Sequence, residues 1–361
     1  MNTISARMEL WQIRDNNQLN KGNQERKGEQ MRPGNLSQTV WRRSVSNQLK
    51  EESDKALISF SPCEACSGIQ GEDQELVMAE ATLCDASEQV AVYAIMKAVQ
   101  DLVTRGAEVQ DVCVTYTFPT SVKESVVIRM MDAVQKFCKE QKLTLSGVKA
   151  QVQPGVILHV AHVVATGKVL HRTLLEGLSA TPGQEVILCG SLALEGMERI
   201  VDTSEKELGQ RFIPTFLYQM KALKEELYQP ETIRGAWAYV TAMRQIGSGG
   251  IFGQLWSLAD EAKVGFSLEL SQMTLCQETI EVCEFYRLNP YQMTSTGAIL
   301  MITDRGEELL QYLHATGCRA TRLGLLEEGN TKIVCNGTEI RYVDRPAPDE
   351  LSLWQEERLE K

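Results

Sequence analysis

The residues best suited to chemistry are Gly247-Ser248-Gly249-Gly250-Ile251-Phe252-Gly253, which run into Leu255-Trp256-Ser257-Leu258-Ala259. Glycines let a backbone approach a ligand closely, and the N-terminus of a following helix offers unpaired N–H groups to an anion. Gly247, Ser248, Gly249 and Gly250 are therefore the candidate phosphate-binding residues, with a tight turn under close helix packing as the competing structural reading. The run is not a P-loop, because the Lys-Ser/Thr end is missing. Cys63-Glu64-Ala65-Cys66 has the spacing of half a zinc site or a dithiol pair, but no second pair follows at a useful distance. His159 and His162, three apart on an expected strand, point to opposite faces and cannot share a metal. Cys276 and Cys283 are seven apart in the chain, fall on one helix face and read as core thiols. Gly-x-Ser-x-Gly is absent, only 4 histidines occur, and no spacing pairs a nucleophile with a base.

These candidates sit in a chain of 361 residues, long enough for roughly two domains. Its 37 Lys+Arg against 48 Asp+Glu give a net charge of −11, which argues against electrostatic capture of nucleic acid or an anionic membrane. No uninterrupted apolar stretch is long enough to span a bilayer, since the best candidate, Val156 to Ala165, is broken by His159 and His162. Without an apolar signal core the protein reads as cytoplasmic, and its 10 cysteines as reduced thiols. Residues 1–30 are rich in Asn, Gln, Glu, Lys and Arg and read as a disordered extension. An alternative is an over-called start, with the protein beginning at Met31.

A first domain is expected over 31–178. A short helical segment covers Leu36 to Leu49, and short strands cover Leu57 to Phe60 and Leu76 to Met78. Val90, Ala94, Ile95, Ala98, Leu102 and Val103 form one helical stripe that ends near Gly106. Alternation of Val112, Val114, Tyr116 and Phe118 makes Asp111 to Phe118 a strand. Ser121 and Glu124 form a capping box for a helix with Val122, Val126, Met130, Val134 and Phe137 on its apolar face. Another strand follows over Ile157 to Thr166. Leu178 to Gly183 is a boundary, and the second domain, 179–345, opens on the strand Glu185 to Cys189. Helices are expected around Phe216 to Leu227 and after Gly250, and strands near Gly297 to Thr303 and Ile333 to Cys335. The tail, 346–361, with Pro346, Pro348 and many charges, reads as a loose arm. Helices interleaved with strands make the fold class α/β, or α+β.

The glycine turn lies in a longer recognisable stretch. Gly249 to Trp256 is followed by Gln277-Glu278-Thr279-Ile280-Glu281-Val282-Cys283-Glu284-Phe285, then Leu288-Asn289-Pro290-Tyr291 and Ser295-Thr296-Gly297. Glu328-Gly329-Asn330 and Asp344-Arg345-Pro346-Ala347-Pro348-Asp349-Glu350 complete it. Over roughly Met31 to Leu351 the chain resembles the aminoimidazole-ribotide (AIR) synthase-related superfamily, and within it the HypE-type hydrogenase-maturation proteins. The resemblance implies a PurM-like homodimer, each chain pairing an N-terminal α/β domain with a C-terminal α+β domain. It further implies that two N-terminal sheets meet as a barrel, with ATP and Mg²⁺ near that interface. Members activate an oxygen by phosphorylating it, and HypE-type enzymes dehydrate a thiocarbamate on their own C-terminal Cys.

The chain departs from this pattern where the chemistry needs acids, because Mg²⁺ is held against phosphates by carboxylate oxygens. The metal-ligand Asp after the second strand is matched by Ala81, with Glu80 beside it. The Asn-Asp pair of relatives becomes Gln100-Asp101, and a later acidic segment becomes Gly147-Val148-Lys149-Ala150-Gln151. Gln245-Ile246-Gly247-Ser248 replaces the Asp-Val-Thr-Glu that precedes the paired glycines, while Glu64 stands where relatives have a Gly-x-Asp-like segment. Asp101, Glu80 and Glu64 are thus the candidate metal ligands, and the terminal Trp354 to Lys361 has no acceptor Cys. The expectation is a homodimer with weakened or lost catalysis that binds a nucleotide, a small phosphorylated ligand or a partner protein. The rival is an active ATP-dependent enzyme with a Mg²⁺ site rebuilt around those three acids. A third reading makes Cys63 and Cys66 a thiol site at the same mouth.

Overall fold

The computed structural model describes residues 36–48, 58, 64–70, 75–175 and 179–360. Residues 1–30, Cys63 and, but for Ile58, the strand expected over 57–60 lie outside the described residues. After α1 (Gln38–Ser44) the first layer comprises β1 (Cys66–Gln70), β2 (Glu75–Asp85), α2 (Val90–Thr104), β3 (Ala107–Phe118), α3 (Glu124–Glu140), β4 (Leu145–Val152), β5 (His159–Val169) and α4 (Arg172–Leu175). Its strands form a five-stranded sheet in the order β1-β2-β5-β3-β4. Only β3 and β4 pair in parallel there.

Period-2 patterning divides this sheet into two faces. Val77, Ala79, Ala81, Val112, Val114, Tyr116, Ala161, Val163 and Ala165 are buried on one face, against α2 and α3. The other face carries Met78, Glu80, Thr82, Thr115, Val160, His162 and Val164, exposed or half-exposed among the described residues. His159 and His162 do face opposite ways. His159 meets Phe118 edge-on, whereas the His162 ring shares a 2.8 Å hydrogen bond with Thr82 Oγ1.

Helix α2 is more buried than its apolar stripe suggests: Lys97 alone among its residues is not buried. A helix apolar all round belongs inside a protein, and α2 is enclosed by its own sheet and by elements of the second domain. The capping box at Ser121 does not form. The chain turns through a Val122 N–H bond to the Pro119 carbonyl, so α3 starts later, with Lys123 as an N-cap that makes no side-chain bond.

The second layer comprises β6 (Glu185–Cys189), α5 (Leu194–Leu208), α6 (Pro214–Ala222), α7 (Pro230–Gly235), β7 (Ala242–Gln245), α8 (Gly250–Ala262), β8 (Gly265–Glu269), α9 (Gln277–Tyr286), β9 (Ile299–Thr303), α10 (Gly306–Ala315), β10 (Ala320–Glu327), β11 (Lys332–Asn336) and β12 (Glu339–Tyr342). They build a seven-stranded sheet in the order β12-β11-β8-β10-β6-β9-β7. Its central strands are apolar on both faces, because Val186 and Leu188 enter one core and Ile187 and Cys189 another. Among the described residues no helix is long and apolar enough to cross a membrane.

The tail is not a loose arm. Residues 350–359 form α11 (Glu350–Leu359), capped by Asp349. Leu351 and Trp354, three residues apart, share one helical face and are buried. That apolar face outweighs the charges and prolines around it.

The two domains are joined by a buried ionic node. Arg199 on α5 donates through Nε to Asp85 Oδ2 at 2.7 Å, through Nη1 to Glu195 Oε1 at 3.0 Å and through Nη2 to the Cys84 carbonyl at 3.1 Å. Glu195 Oε2 accepts from Thr294 Oγ1 at 2.7 Å and from the Thr296 N–H at 3.1 Å. Burial pushes the Glu195 carboxyl up, but Arg199, Lys97 and these bonds outweigh it and hold it below the usual range. Replacing Arg199 by Met strands two buried carboxylates, so Arg199→Met is expected to cost about 3–5 kcal/mol in denaturant melts.

Nearby, Glu198 is 1% exposed and neither of its carboxylate oxygens has a hydrogen-bond partner. Burial, then Asp202, pushes its carboxyl up to about 8. A folded-state value above the unfolded one means that stability is full at low pH and falls as pH rises through the folded value. Glu198→Gln is therefore expected to shrink the drop in melting temperature between roughly pH 5 and pH 8.5, while changing little at the acid end. A pH series of thermal melts on both proteins checks this.

Candidate functional site

Helix α2 and strand β7 lie side by side at the domain junction, and between them they position the site. Lys97, Gln100, Asp101 and, just past the helix, Arg105 come from one, and Arg244 and Gln245 from the other. The Gln245 amide ties the two elements: its Nε2 donates to Asp101 Oδ1 at 2.7 Å and to the Lys97 carbonyl at 3.0 Å. Its Oε1 accepts from Gln100 Nε2 at 3.2 Å and from the Gly297 N–H at 3.3 Å. Gln100 in turn donates to the Leu227 carbonyl at 2.9 Å and accepts from the Gln229 N–H at 3.0 Å. Two glutamines thus satisfy backbone groups of both domains that burial would otherwise leave unpaired.

From Gln245 the chain passes through Ile246 into the glycine turn. Gly249, with φ 85°, caps α8 in the left-handed region, a conformation glycine adopts without strain. Gly250 also has positive φ, and a side chain there would collide with the Tyr291 carbonyl. The Lys97 ammonium lies 3.1 Å from where a Cβ on Gly247 would stand. The Gly249 N–H is engaged by the protein itself: it donates to Asp349 Oδ2 at 2.9 Å. Asp349 Oδ1 accepts from Leu351 N at 3.0 Å and Ser352 N at 3.3 Å, so one carboxylate serves the N-termini of both α8 and α11. Burial pushes this carboxyl up to about 6, against the opposing pull of the Gly249 N–H.

The three candidate metal ligands are placed as follows. Glu64 accepts from the Cys66 N–H at 3.0 Å and from Arg105 Nε at 3.1 Å, with Arg244 Nη2 at 3.7 Å. Arg244 also donates to Glu261 at 3.1 Å. Burial, then Arg244, lowers the Arg105 guanidinium from its ordinary range. Asp101, 5% exposed, faces Lys97 Nζ at 3.9 Å, and its Oδ2 has no hydrogen-bond partner. Burial raises its carboxyl, with Lys97 and then Gln245 pulling the other way. Glu80 is exposed on the face of the first sheet turned away from α2. The fold therefore brings Glu64 and Asp101 to the same pair of elements and leaves Glu80 across the sheet. Among the described residues no group of three or more His, Cys, Asp or Glu could hold a metal ion. Mg²⁺ needs near-octahedral oxygen ligands, and this donor set, with basic side chains against both acids, does not fit it.

Sequence reasoning missed the partners. Lys97 was visible as the lone charge before Asp101 in an otherwise apolar helix, one turn from it. Asp349 was visible as an N-cap, with Pro348 before it and Leu351 and Trp354 after it. Arg105 and Arg244 carried no such local signal.

Residues 181–336 match the family described as AIR synthase related protein, C-terminal domain. Carbamoyl dehydratase HypE of Rhizobium leguminosarum bv. viciae is 25% identical over 150 residues, 40% of this chain and 41% of that protein. The match thus spans about two fifths of the length of that relative. A solved HypE–HypF complex superposes with a TM-score of 0.65 at 14% identity, covering 85% of this chain and 99% of that one. AaThiL complexed with AMPPCP and TMP also gives 0.65, at 17% identity and with 86% and 97% covered. At such identities the superpositions show a shared PurM-like fold of N- and C-terminal domains. The family match over residues 181–336 and the shared fold thus make this chain similar to AIR synthase-related proteins, with a HypE-type protein among its relatives.

Proposed function

We propose that this protein is a homodimeric binding protein of the superfamily, one that has lost Mg-ATP chemistry and receives a small phosphorylated ligand at Gly247–Gly250. The observation that carries the reading is the fate of the acids: Glu64 is ion-paired with Arg105 and Arg244, and Asp101 is bonded to Gln245 beside Lys97. Such carboxylates are neutralised by the protein and offer little to a divalent cation. The anion side of the site is supported by the α8 N-terminus and by Lys97 against Gly247. A cytoplasmic location accords with reduced thiols, since the described residues contain nine free cysteines. The homodimer is supported by the family resemblance and by the half-exposed valines on the face of the first sheet turned away from α2.

One observation favours a second reading, an active enzyme with a rebuilt Mg²⁺ site: Asp101 Oδ2 is buried without a hydrogen-bond partner. Calorimetric titration with ATP, with and without Mg²⁺, separates the two. The proposal expects no Mg-dependent heat from the wild type. Micromolar, Mg-dependent binding that disappears in Asp101→Ala establishes the enzyme instead.

The turn itself is tested with inorganic pyrophosphate. Asp349→Ala frees the Gly249 N–H and is expected to tighten binding by roughly tenfold, about 1.4 kcal/mol. Pyrophosphate that gives no heat with either protein removes the turn as a ligand site. Sedimentation tests the assembly: the wild type is expected as a dimer and Val164→Glu as a folded monomer, whereas a monomeric wild type ends the homodimer reading.

A further inference from the structure

Away from the glycine turn, two sulfurs meet in the core of the second domain. Cys189 ends β6, Cys318 precedes β10, and their Sγ atoms are 2.9 Å apart. Strand β6 pairs with β10, with Cys189 opposite Ala320, and the Gly190 N–H donates to the Arg319 carbonyl at 2.7 Å. A disulfide needs an S–S distance of about 2.05 Å, so the bond requires less than ~1 Å of closure between anchored backbones. Sequence spacing gives no hint of the pair, because 129 residues separate the two cysteines.

We infer that Cys189 and Cys318 form a redox-sensitive dithiol, oxidised to an intramolecular disulfide by a low-molecular-weight disulfide. Cys318 is the attacking sulfur. Its thiolate displaces one thiolate from the oxidant and forms a mixed disulfide. Cys189 then gives up its proton, attacks the Cys318 sulfur and releases the second thiolate. One protein S–S bond forms, the oxidant S–S bond breaks, and two small-molecule thiols leave with the two protons and two electrons.

The order of attack follows from the contact and from position. Hydrogen bonding from Cys189, with the Gly190 backbone assisting, holds the Cys318 thiol below the ordinary range, and the same contact, with burial, raises Cys189. Cys318 is 5% exposed but lies between exposed Gly317 and Arg319, one residue beneath the surface. By contrast, burial raises the thiols of Cys66, Cys84, Cys138, Cys276 and Cys283. Thiolate character and access together select the reacting cysteine. The bond would staple β6 to the turn between α10 and β10. Gly190, next in the chain, lies against the carbonyl of Gly297, whose N–H holds Gln245.

The test treats the native, full-length protein with oxidised glutathione, then unfolds it, alkylates the free thiols and maps the peptides. The expected result is a fall from ten alkylatable thiols to eight, a loss of two mass units and one cross-linked pair joining the Cys189 and Cys318 peptides. In Cys318→Ala all remaining thiols stay free. Alkylation of both Cys189 and Cys318 after treatment overturns the inference, as does persistent glutathione on either one. If the variant fails to fold, the wild-type peptide map decides alone.

Discussion

The guanidinium of Arg199 is the interaction on which the rest of the molecule depends. It is buried together with its two carboxylates, Asp85 from the first domain and Glu195 from its own helix. A charge removed from water is tolerable only when its counter-charges and remaining donors are satisfied. That requirement fixes α5 against the end of β2. Through Glu195 it also fixes Thr294 and Thr296, hence the loop that delivers Gly297 to Gln245. The α11 helix is drawn to the same place, since Gln355 reaches both the Cys84 carbonyl and Asp85. Both domains and the tail thus converge on one buried cation.

The site inherits this arrangement. Helix α2 is held between its sheet and the second domain, and its polar residues can meet only what the second domain presents. Gln100 and Asp101 meet Gln245, and Lys97 meets the glycine turn. The Asp101 carboxylate is here a buried member of a hydrogen-bonded network. In such surroundings each charge needs a local partner. The glycine turn shows the same economy, with a carboxylate of the chain itself against the N–H that an anion would use.

Much of the fold was legible because its elements are periodic. The alternation of Val112, Val114, Tyr116 and Phe118 names a strand, and the stripe from Val90 to Val103 names α2. Local signals mislead at two places. Prolines and charges suggest a loose arm at the tail, while Leu351 and Trp354 mark a buried face. Ser121 and Glu124 matched a capping motif, but the turn at Pro119 to Val122 moved the helix start past them.

What the sequence determined by itself was the set of elements, the superfamily resemblance and the list of acids kept or lost, because hydrophobic period and residue identity are local properties. Whether a kept acid is free or paired belongs to tertiary structure. Glu64 and Arg244 are distant in the chain and adjacent in space, Glu80 and Asp101 stand on different sides of one sheet, and Cys189 finds Cys318 only because β6 pairs with β10. Coulomb and hydrogen-bond energies depend on separation in space and on burial, and neither is written in sequence order.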